Sequence, residues 1–275
     1  MKTNHEETTV LSGGIQLFTV KDYIDNSDAV IVIVHGLCEH CGRYDYVVNK
    51  LNSYGYSEYR MDLRGHGKSE GESTFINSFE EYIEDCNIIV KLAKQQNPEK
   101  PIFMLGHSMG GFISASYGIQ YHDFLKGQIL SGAAVMVLPD LKNALNLDYK
   151  AQAQTRIPNA LPDKVSRDPN VVKAYREDPL VKKDFTIMLM GEIFIRGAQW
   201  IEQNIKKYRA AVAVKSNHLN LLNIAMTTEI IASAITMYPL YLPMPAYVTI
   251  PKIGTCVTGV YTPMHNTIAP VSATV

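Results

Sequence analysis

The stretch GHSMG carries the clearest chemical signal in the chain, because it places Ser108 between Gly106 and Gly110. A serine hydroxyl is a weak nucleophile alone, since its proton must pass to a positioned base as it attacks. The pattern G-x-S-x-G is typical of a serine on a sharp turn between a strand and a helix, where glycines allow close backbone packing. We therefore predict that Ser108 is a nucleophile, which needs a base and an acid elsewhere in the chain.

Two backbone amides are expected to stabilise the negative oxygen that forms during the attack. The N–H of Met109 follows the serine at the start of a helix, where free N–H groups and the positive end of the dipole point at the site. The second donor is expected from the loop His35-Gly36-Leu37, which follows an early strand, and we predict the N–H of Leu37. One such donor is typically worth about 3 kcal/mol of transition-state stabilisation.

The base and the acid are harder to find. The chain order in this arrangement is serine, then Asp or Glu, then His. No aspartate follows Asp184, and Glu229 is the last acidic residue. Beyond residue 209 the histidines are His218 and His265. We take His265 as the candidate base, with a histidine of no catalytic role as the alternative, and the acid is not assigned.

Short apolar runs alternate with helical patterns along the first half of the chain. The run Ala29–Val34 (AVIVIV) is typical of a strand buried on both faces. Further strands are predicted at Tyr56–Met61, Ile102–Leu105 and Gly127–Ser131. Helices are predicted at Tyr46–Leu51, Phe79–Ala93, Phe112–Tyr121 and Trp200–Tyr208. This alternation predicts an α/β fold with a mostly parallel sheet and helices on both faces.

The alternation stops between about Leu138 and Trp200, where prolines and charges surround one apolar stretch, Phe185–Ile195. A βα unit does not have this pattern, so we predict an insertion over the edge of the sheet. Residues 138–200 would then form a cap on a single domain that spans residues 1–275.

Composition and charge exclude several classes of function. The 275 residues are 46% hydrophobic and 19% charged, with a net charge of −1, which suits a globular protein with a substantial core. No long basic stretch occurs, so no nucleic-acid partner is predicted. The chain shows neither the apolar segment of a signal peptide nor an uncharged apolar run long enough to span a membrane. We expect a cytoplasmic protein and leave peripheral membrane contact and the oligomeric state open.

Two other spacings are associated with chemistry in some proteins. Cys38 and Cys41 form a C-x-x-C pair, but no second pair completes a zinc site, so free thiols and no metal are expected. His40 and Asp45 have the H-x-x-x-x-D spacing of some acyltransferases. Spacing alone carries no geometry, so we favour a turn without a separate site.

Four motifs occur in order, HGLCEHCGRY, DLRGHGKSEG, LGHSMGG and SRDPNVVKAYREDPLV. Together they resemble the monoacylglycerol lipase and lysophospholipase branch of the α/β-hydrolases, from about Ser12 to Arg209. The resemblance implies an α/β-hydrolase fold and a serine esterase that cleaves a monoacylglycerol or lysophospholipid through an acyl-enzyme on Ser108, without a cofactor. An aminopeptidase or thioesterase on this fold is the alternative enzyme. A catalytically impaired chain that binds a lipid-like ligand is the alternative to an enzyme.

The resemblance also assigns roles to particular residues. Leu37 and Met109 would be the oxyanion donors, Gly36 would shape the first oxyanion loop and His35 would stabilise it. His66 and His107 are typical of the family but do not match the base, so structural roles are expected. The apolar residues expected either to line an acyl channel or to pack the cap are Met188, Leu189, Met190, Ile193 and Phe194.

The C-terminal segment 210–275 is atypical. Its 66 residues hold three of the 53 charged residues of the chain, namely Lys215, Glu229 and Lys252. A solvated α/β surface normally carries many more charges. Because the resemblance ends where the charge disappears, we hypothesise that this segment comes from a different reading frame or exon and replaces the last strands and helices.

This hypothesis predicts that one of the other two reading frames after codon 209 encodes an aspartate in an HG-x-x-D pattern and a later histidine. The nucleotide sequence decides the matter. If neither frame restores both residues, the hypothesis fails.

Overall fold

A computed structural model of the chain describes residues 3–121, 123–137, 141, 148–212, 248–252 and 255–259. A six-stranded sheet lies at its centre. Its strands are β1 (Thr3–Ser12), β2 (Ile15–Ile24), β3 (Ala29–Val34), β4 (Tyr56–Met61), β5 (Ile102–His107) and β6 (Gly127–Ser131). They lie in the order β1-β2-β4-β3-β5-β6. The pairs from β4 to β6 are parallel, and β1 and β2 add an antiparallel edge. The predicted α/β fold with a mostly parallel sheet is confirmed.

Helices cover both faces of the sheet. They are α1 (Asp45–Ser53), α2 (Glu80–Gln96) and α3 (Met109–Gln120). Along β3, Val30, Val32 and Val34 pack with α2 and α3, whereas Ile31 and Ile33 pack with α1. Side chains alternate across a strand, so a strand covered on both faces is apolar at every position. This explains why AVIVIV was recognisable in the sequence.

Most predicted elements have the expected bounds, with one omission. Strands β3, β4 and β6 match, while β5 runs two residues further and α3 begins three residues earlier than predicted. The hairpin β1–β2 was not predicted. Most of β1 is exposed, so it lacks the apolar alternation that marks a half-buried strand, and its ten-residue pairing with β2 is what holds it.

The segment after β6 contains short elements and one longer helix. Its strands β7 (Arg156–Pro158) and β8 (Asp184–Thr186) pair antiparallel and flank α4 (Pro169–Glu177). Then α5 (Ile187–Met190), a π-helical stretch at Gly191–Gly197 and α6 (Ala198–Val212) follow one another directly. Strands β9 (Val248–Lys252) and β10 (Thr255–Gly259) pair antiparallel as a separate sheet. Among the described residues, no helix combines the length and apolar character needed to cross a membrane.

A buried carboxyl group lies under α1. Glu58 on β4 is fully buried, and its Oε2 accepts a hydrogen bond from Asn52 Nδ2. Burial and the neighbouring Asp22 raise the pKa of Glu58 to about 9, although the Asn52 bond and Arg60 oppose the change. The folded chain therefore keeps this carboxyl protonated at neutral pH.

Relative to the wild type, the free energy of unfolding of Glu58→Gln should become progressively larger as the pH rises from about 5 to about 9. In this range the unfolded chain releases the Glu58 proton and the folded chain retains it, so the wild type loses up to about 1.4 kcal/mol of stability per pH unit. Denaturant unfolding of both proteins across this range measures the difference. Glu99→Gln, at an exposed turn, is the charge-matched control. A difference that stays constant with pH would contradict the prediction.

Candidate active site

Ser108 lies at the sharp turn between β5 and α3, with φ +53° and ψ −115°. A side chain in this region is strained, so the surrounding structure must hold it. Ser108 N donates to Ser131 O (2.9 Å), and Ser108 O accepts from Phe112 N and Ala134 N (both 3.1 Å). These three backbone bonds fix the turn, which leaves the half-buried Ser108 side chain at the carboxyl end of the sheet.

The glycines around Ser108 are required by backbone contacts. A Cβ on Gly106 would lie 2.2 Å from Gly110 O and from Ser114 Oγ. A Cβ on Gly110 would lie 2.1 Å from Val34 O in β3. Helix α3 can therefore begin directly against β3 and β5 only because these positions lack side chains.

The loop after β3 meets this turn, because β3 and β5 are parallel neighbours with Val34 opposite Gly106. A Cβ built on Gly36 would lie 3.3 Å from Ser108 Cβ. The amides of Leu37 and Met109 have no hydrogen-bond acceptor among the described residues. The predicted role of both N–H groups as oxyanion donors is therefore not blocked by a hydrogen bond within the described part of the chain.

His35 sets the direction of one of these amides. Its Nε2 accepts a hydrogen bond from Leu63 N (2.9 Å), so the proton is on Nδ1, which donates to Gly36 O (2.8 Å). Burial lowers the pKa of His35, which keeps the ring neutral. Since Gly36 C=O and Leu37 N–H belong to one peptide group, the His35 bond also orients the Leu37 N–H.

Glu39 is part of this loop and was missed in the sequence. The Gly36 N–H donates to Glu39 Oε1 (2.6 Å), and the same oxygen accepts from the Tyr44 hydroxyl (2.7 Å). Glu39 is only 4% exposed. The loop HGLCEHC at residues 35–41 is buried throughout, with a short 3₁₀ helix at Cys41–Tyr44. The sequence signal that could have pointed to Glu39 is its place as an acidic residue three positions after a glycine at the end of a buried strand.

The outer side of the loop is bound by the segment after β6. Cys38 has φ +64°, and its carbonyl oxygen accepts from Lys182 N (2.8 Å). His40 Nε2 lies 2.8 Å from Asp178 Oδ2. Burial would raise the pKa of Asp178, but the hydrogen bonds from His40 and from Leu180 N, together with the electrostatic attraction of His40 and Arg43, lower it. Strand β8 and the residues before it therefore hold the loop from outside.

The other predicted spacings do not assemble into sites. His40 pairs with Asp178, whereas Asp45 pairs with Arg60, so the H-x-x-x-x-D residues have different partners. Burial raises the pKa of Cys38 to about 12 and raises that of Cys41 further, so both thiols stay protonated and are poor nucleophiles. No group of three metal-ligating side chains occurs in the described part of the chain.

The two histidines expected to be structural are buried in neutral form. Burial lowers the pKa of His66 to about 3, and its Nδ1 lies 3.2 Å from Arg64 O. Burial also lowers the pKa of His107, whose Nδ1 lies 3.1 Å from Ser131 O and links β5 to β6.

The remaining predicted residues are divided between the core and the part of the chain not described. Leu189 and Ile193 are fully buried in the main core beside Met109 and Phe112, and Phe194 packs against it. Met188 is buried as well, and Met190 is half-buried. His265 lies outside the described residues, as do His218 and Glu229.

Comparison with known proteins identifies a family and individual proteins that this chain resembles. Residues 25–216 match the Hydrolase_4 family model, described as "Serine aminopeptidase, S33". A monoacylglycerol lipase of Mycolicibacterium smegmatis is 35% identical over 65% of this chain and 66% of its own length. A monoglyceride lipase of Mus musculus is 32% identical over 60% of this chain and 58% of its own length. The chain therefore spans less than two thirds of these relatives.

Solved structures show the same fold. A carboxyl esterase from Bacillus coagulans, solved with glycerol, has a TM-score of 0.67 at 22% identity and covers 84% of this chain and 86% of its own. A soluble variant of monoglyceride lipase from Saccharomyces cerevisiae, solved with a substrate analog, has a TM-score of 0.62 at 21% identity. It covers 74% of this chain and 71% of its own. Both support the α/β-hydrolase architecture.

Gly110→Ala should destabilise the chain by about 3 kcal/mol or more, because its Cβ would overlap the Val34 carbonyl and the sheet backbone cannot yield. Gly127→Ala on β6 is the matched control. Its Cβ would meet only the Phe103 ring, at 3.3 Å, and a side chain can shift. Denaturant unfolding measures both, and equal losses would contradict the prediction.

Proposed function

We propose that this chain cleaves the carboxylic ester of a monoacylglycerol or lysophospholipid. The chain belongs to the Hydrolase_4 serine aminopeptidase family and is monoacylglycerol lipase-like among the α/β-hydrolases. The observation that supports this proposal most directly is the strained, half-buried Ser108, with the N–H groups of Leu37 and Met109 lacking an acceptor among the described residues. N–H groups that are in place before the substrate binds can stabilise the negative charge that develops on its carbonyl oxygen. The names of the curated relatives support the substrate class.

The reaction would proceed through an acyl-enzyme. Ser108 Oγ attacks the ester carbonyl carbon while the base takes its proton, and the carbonyl oxygen becomes an oxyanion that accepts from Leu37 N–H and Met109 N–H. The C–O bond to the alcohol breaks, and the alcohol leaves with the proton from the base. Water then attacks the acyl carbon by the same route and restores the Ser108 hydroxyl. His265 is the candidate base, and no acid is assigned.

The segment 138–200 would act as the cap over this site. Its bonds from Lys182 and Asp178 to the loop after β3 support this role, because they connect it to the turn that contains Leu37. Of its apolar residues, the half-buried Met190 and Phe194 would line the acyl channel, whereas Met188, Leu189 and Ile193 are buried and would pack the cap and core. Peripheral contact of the cap with a membrane would give access to a lipid substrate.

Ser108→Ala should abolish both fluorophosphonate labelling and hydrolysis of a monoacylglycerol by the purified chain, because the attacking oxygen is removed. Ser116→Ala, on α3 and buried away from the turn, should leave both unchanged. His265→Ala should slow labelling by about three orders of magnitude or more if His265 is the base. Absence of labelling in the wild type would refute an active esterase, and unchanged labelling of His265→Ala would refute this base.

The description of the matching family favours a second candidate, an aminopeptidase on the same site. An aminopeptidase must bind a free α-amino group, whereas a lipid esterase must bind an acyl chain. Parallel assays with aminoacyl p-nitroanilides and with monoacylglycerols distinguish them. A chain that binds monoacylglycerol but cleaves neither substrate would be the catalytically impaired form.

A further inference from the structure

We infer that Glu39 is a positioning residue for the oxyanion hole. Its carboxylate accepts the Gly36 N–H and thereby leaves the next amide, Leu37 N–H, as the donor of this loop. The inference rests on the proposed function, because an oxyanion hole matters only if Ser108 attacks an ester. Glu39 itself is not expected to touch the substrate.

The contacts of Glu39 are those of a group built into the loop. The bond from Gly36 N to Glu39 Oε1 is 2.6 Å, which is short for an N–H donor and is charge-assisted. The Tyr44 hydroxyl donates to the same oxygen, and Arg43 Nε lies 3.5 Å from the other. Burying a carboxylate is costly unless it is paired and hydrogen-bonded. All three partners therefore favour one position of the Glu39 side chain.

Two successive peptide groups are held in this way. The Gly36 N–H belongs to the peptide that Glu39 binds, and the Gly36 carbonyl belongs to the next peptide, which His35 Nδ1 binds at 2.8 Å. Gly36 is the residue between them, and a glycine turns easily about both of its backbone bonds. Without the Glu39 bond, the His35 bond is the one hydrogen bond that the described residues would still make to this pair of peptides.

The available space makes Gly36 and Glu39 dependent on each other. A Cβ at position 36 would lie 2.9 Å from Glu39 Oε1 and 3.3 Å from Ser108 Cβ. The glycine that lets Ser108 approach the loop is therefore also the residue whose mobility the carboxylate restrains. An oxyanion donor that is displaced by about 1 Å loses much of its effect on the transition state.

Glu39→Leu removes the acceptor and keeps a similar volume, while Glu39→Gln keeps an acceptor oxygen. With p-nitrophenyl butyrate, Glu39→Leu should lower kcat about 10- to 100-fold with KM within about two-fold, because the bond acts through the transition state. Glu39→Gln should restore most of the loss. Glu99→Gln, at an exposed turn far along the chain, is the control that should leave kcat unchanged. Equal losses for Leu and Gln, or an effect on KM alone, would overturn the assignment.

A second measurement does not depend on turnover. The Gly36 amide proton, in a short bond to a carboxylate, should resonate far downfield in the wild type. Glu39→Leu should move it upfield and should also shift the Leu37 amide, while melting temperatures report whether the variants fold. Unchanged amide resonances in a folded Glu39→Leu would refute the inference. If the wild type cleaves no ester but these shifts occur, the proposed function fails and the positioning of the loop by Glu39 stands.

Discussion

The parallel pairing of β3 with β5 is the constraint on which the rest of the site depends. Val34 lies opposite Gly106, so both strands end at the same edge of the sheet and their following loops meet there. Ser108 comes from one loop and Leu37 from the other. Hydrogen bonds along the two strands fix this register, and a shift by one residue would turn every side chain of a strand to the opposite face. The distance between the serine and the nearby loop is thus set by backbone pairing.

Because the two loops approach so closely, they require small residues at the contact and hydrogen-bond partners for the polar groups buried there. Gly36, Gly106 and Gly110 stand where a Cβ would meet backbone atoms or the side chains of the neighbouring loop. Two buried polar groups of the first loop, Gly36 N–H and Gly36 C=O, are paired with Glu39 and His35. Asp62, at the end of β4, shows the same principle, since it accepts from Cys41 N (2.7 Å) and from Lys68 N (2.8 Å) and so joins the loops that follow β3 and β4. The site is therefore supported by buried carboxylates that bind backbone amides.

The sequence predicted much of this arrangement and missed definite parts. Strand β3 was recognisable because a strand covered on both faces is continuously apolar. Strands β4 and β6 are not continuously apolar and were recognisable from the turn residues beside them. The hairpin β1–β2 was not, because an exposed edge strand has no such pattern and is held by pairing with a distant partner. No role for Glu39 was predicted from the sequence. Its burial results from the packing of Tyr44 and of the segment after β6 around the loop, which no local pattern records.

The sequence by itself determined the sharp turn at Ser108, since G-x-S-x-G between a strand and a helix is a local pattern whose steric reason lies within a few residues. It also predicted strands β3 to β6 and the helices between them, because apolar periodicity reflects burial on one or two faces. Only the tertiary structure decided which N–H of the loop after β3 is free and which polar groups orient it. Those bonds join His35 to Leu63 and Asp178 to His40, residues far apart along the chain. Hydrogen-bond geometry between distant segments depends on how the whole sheet is assembled, and so it leaves no trace in residue spacing.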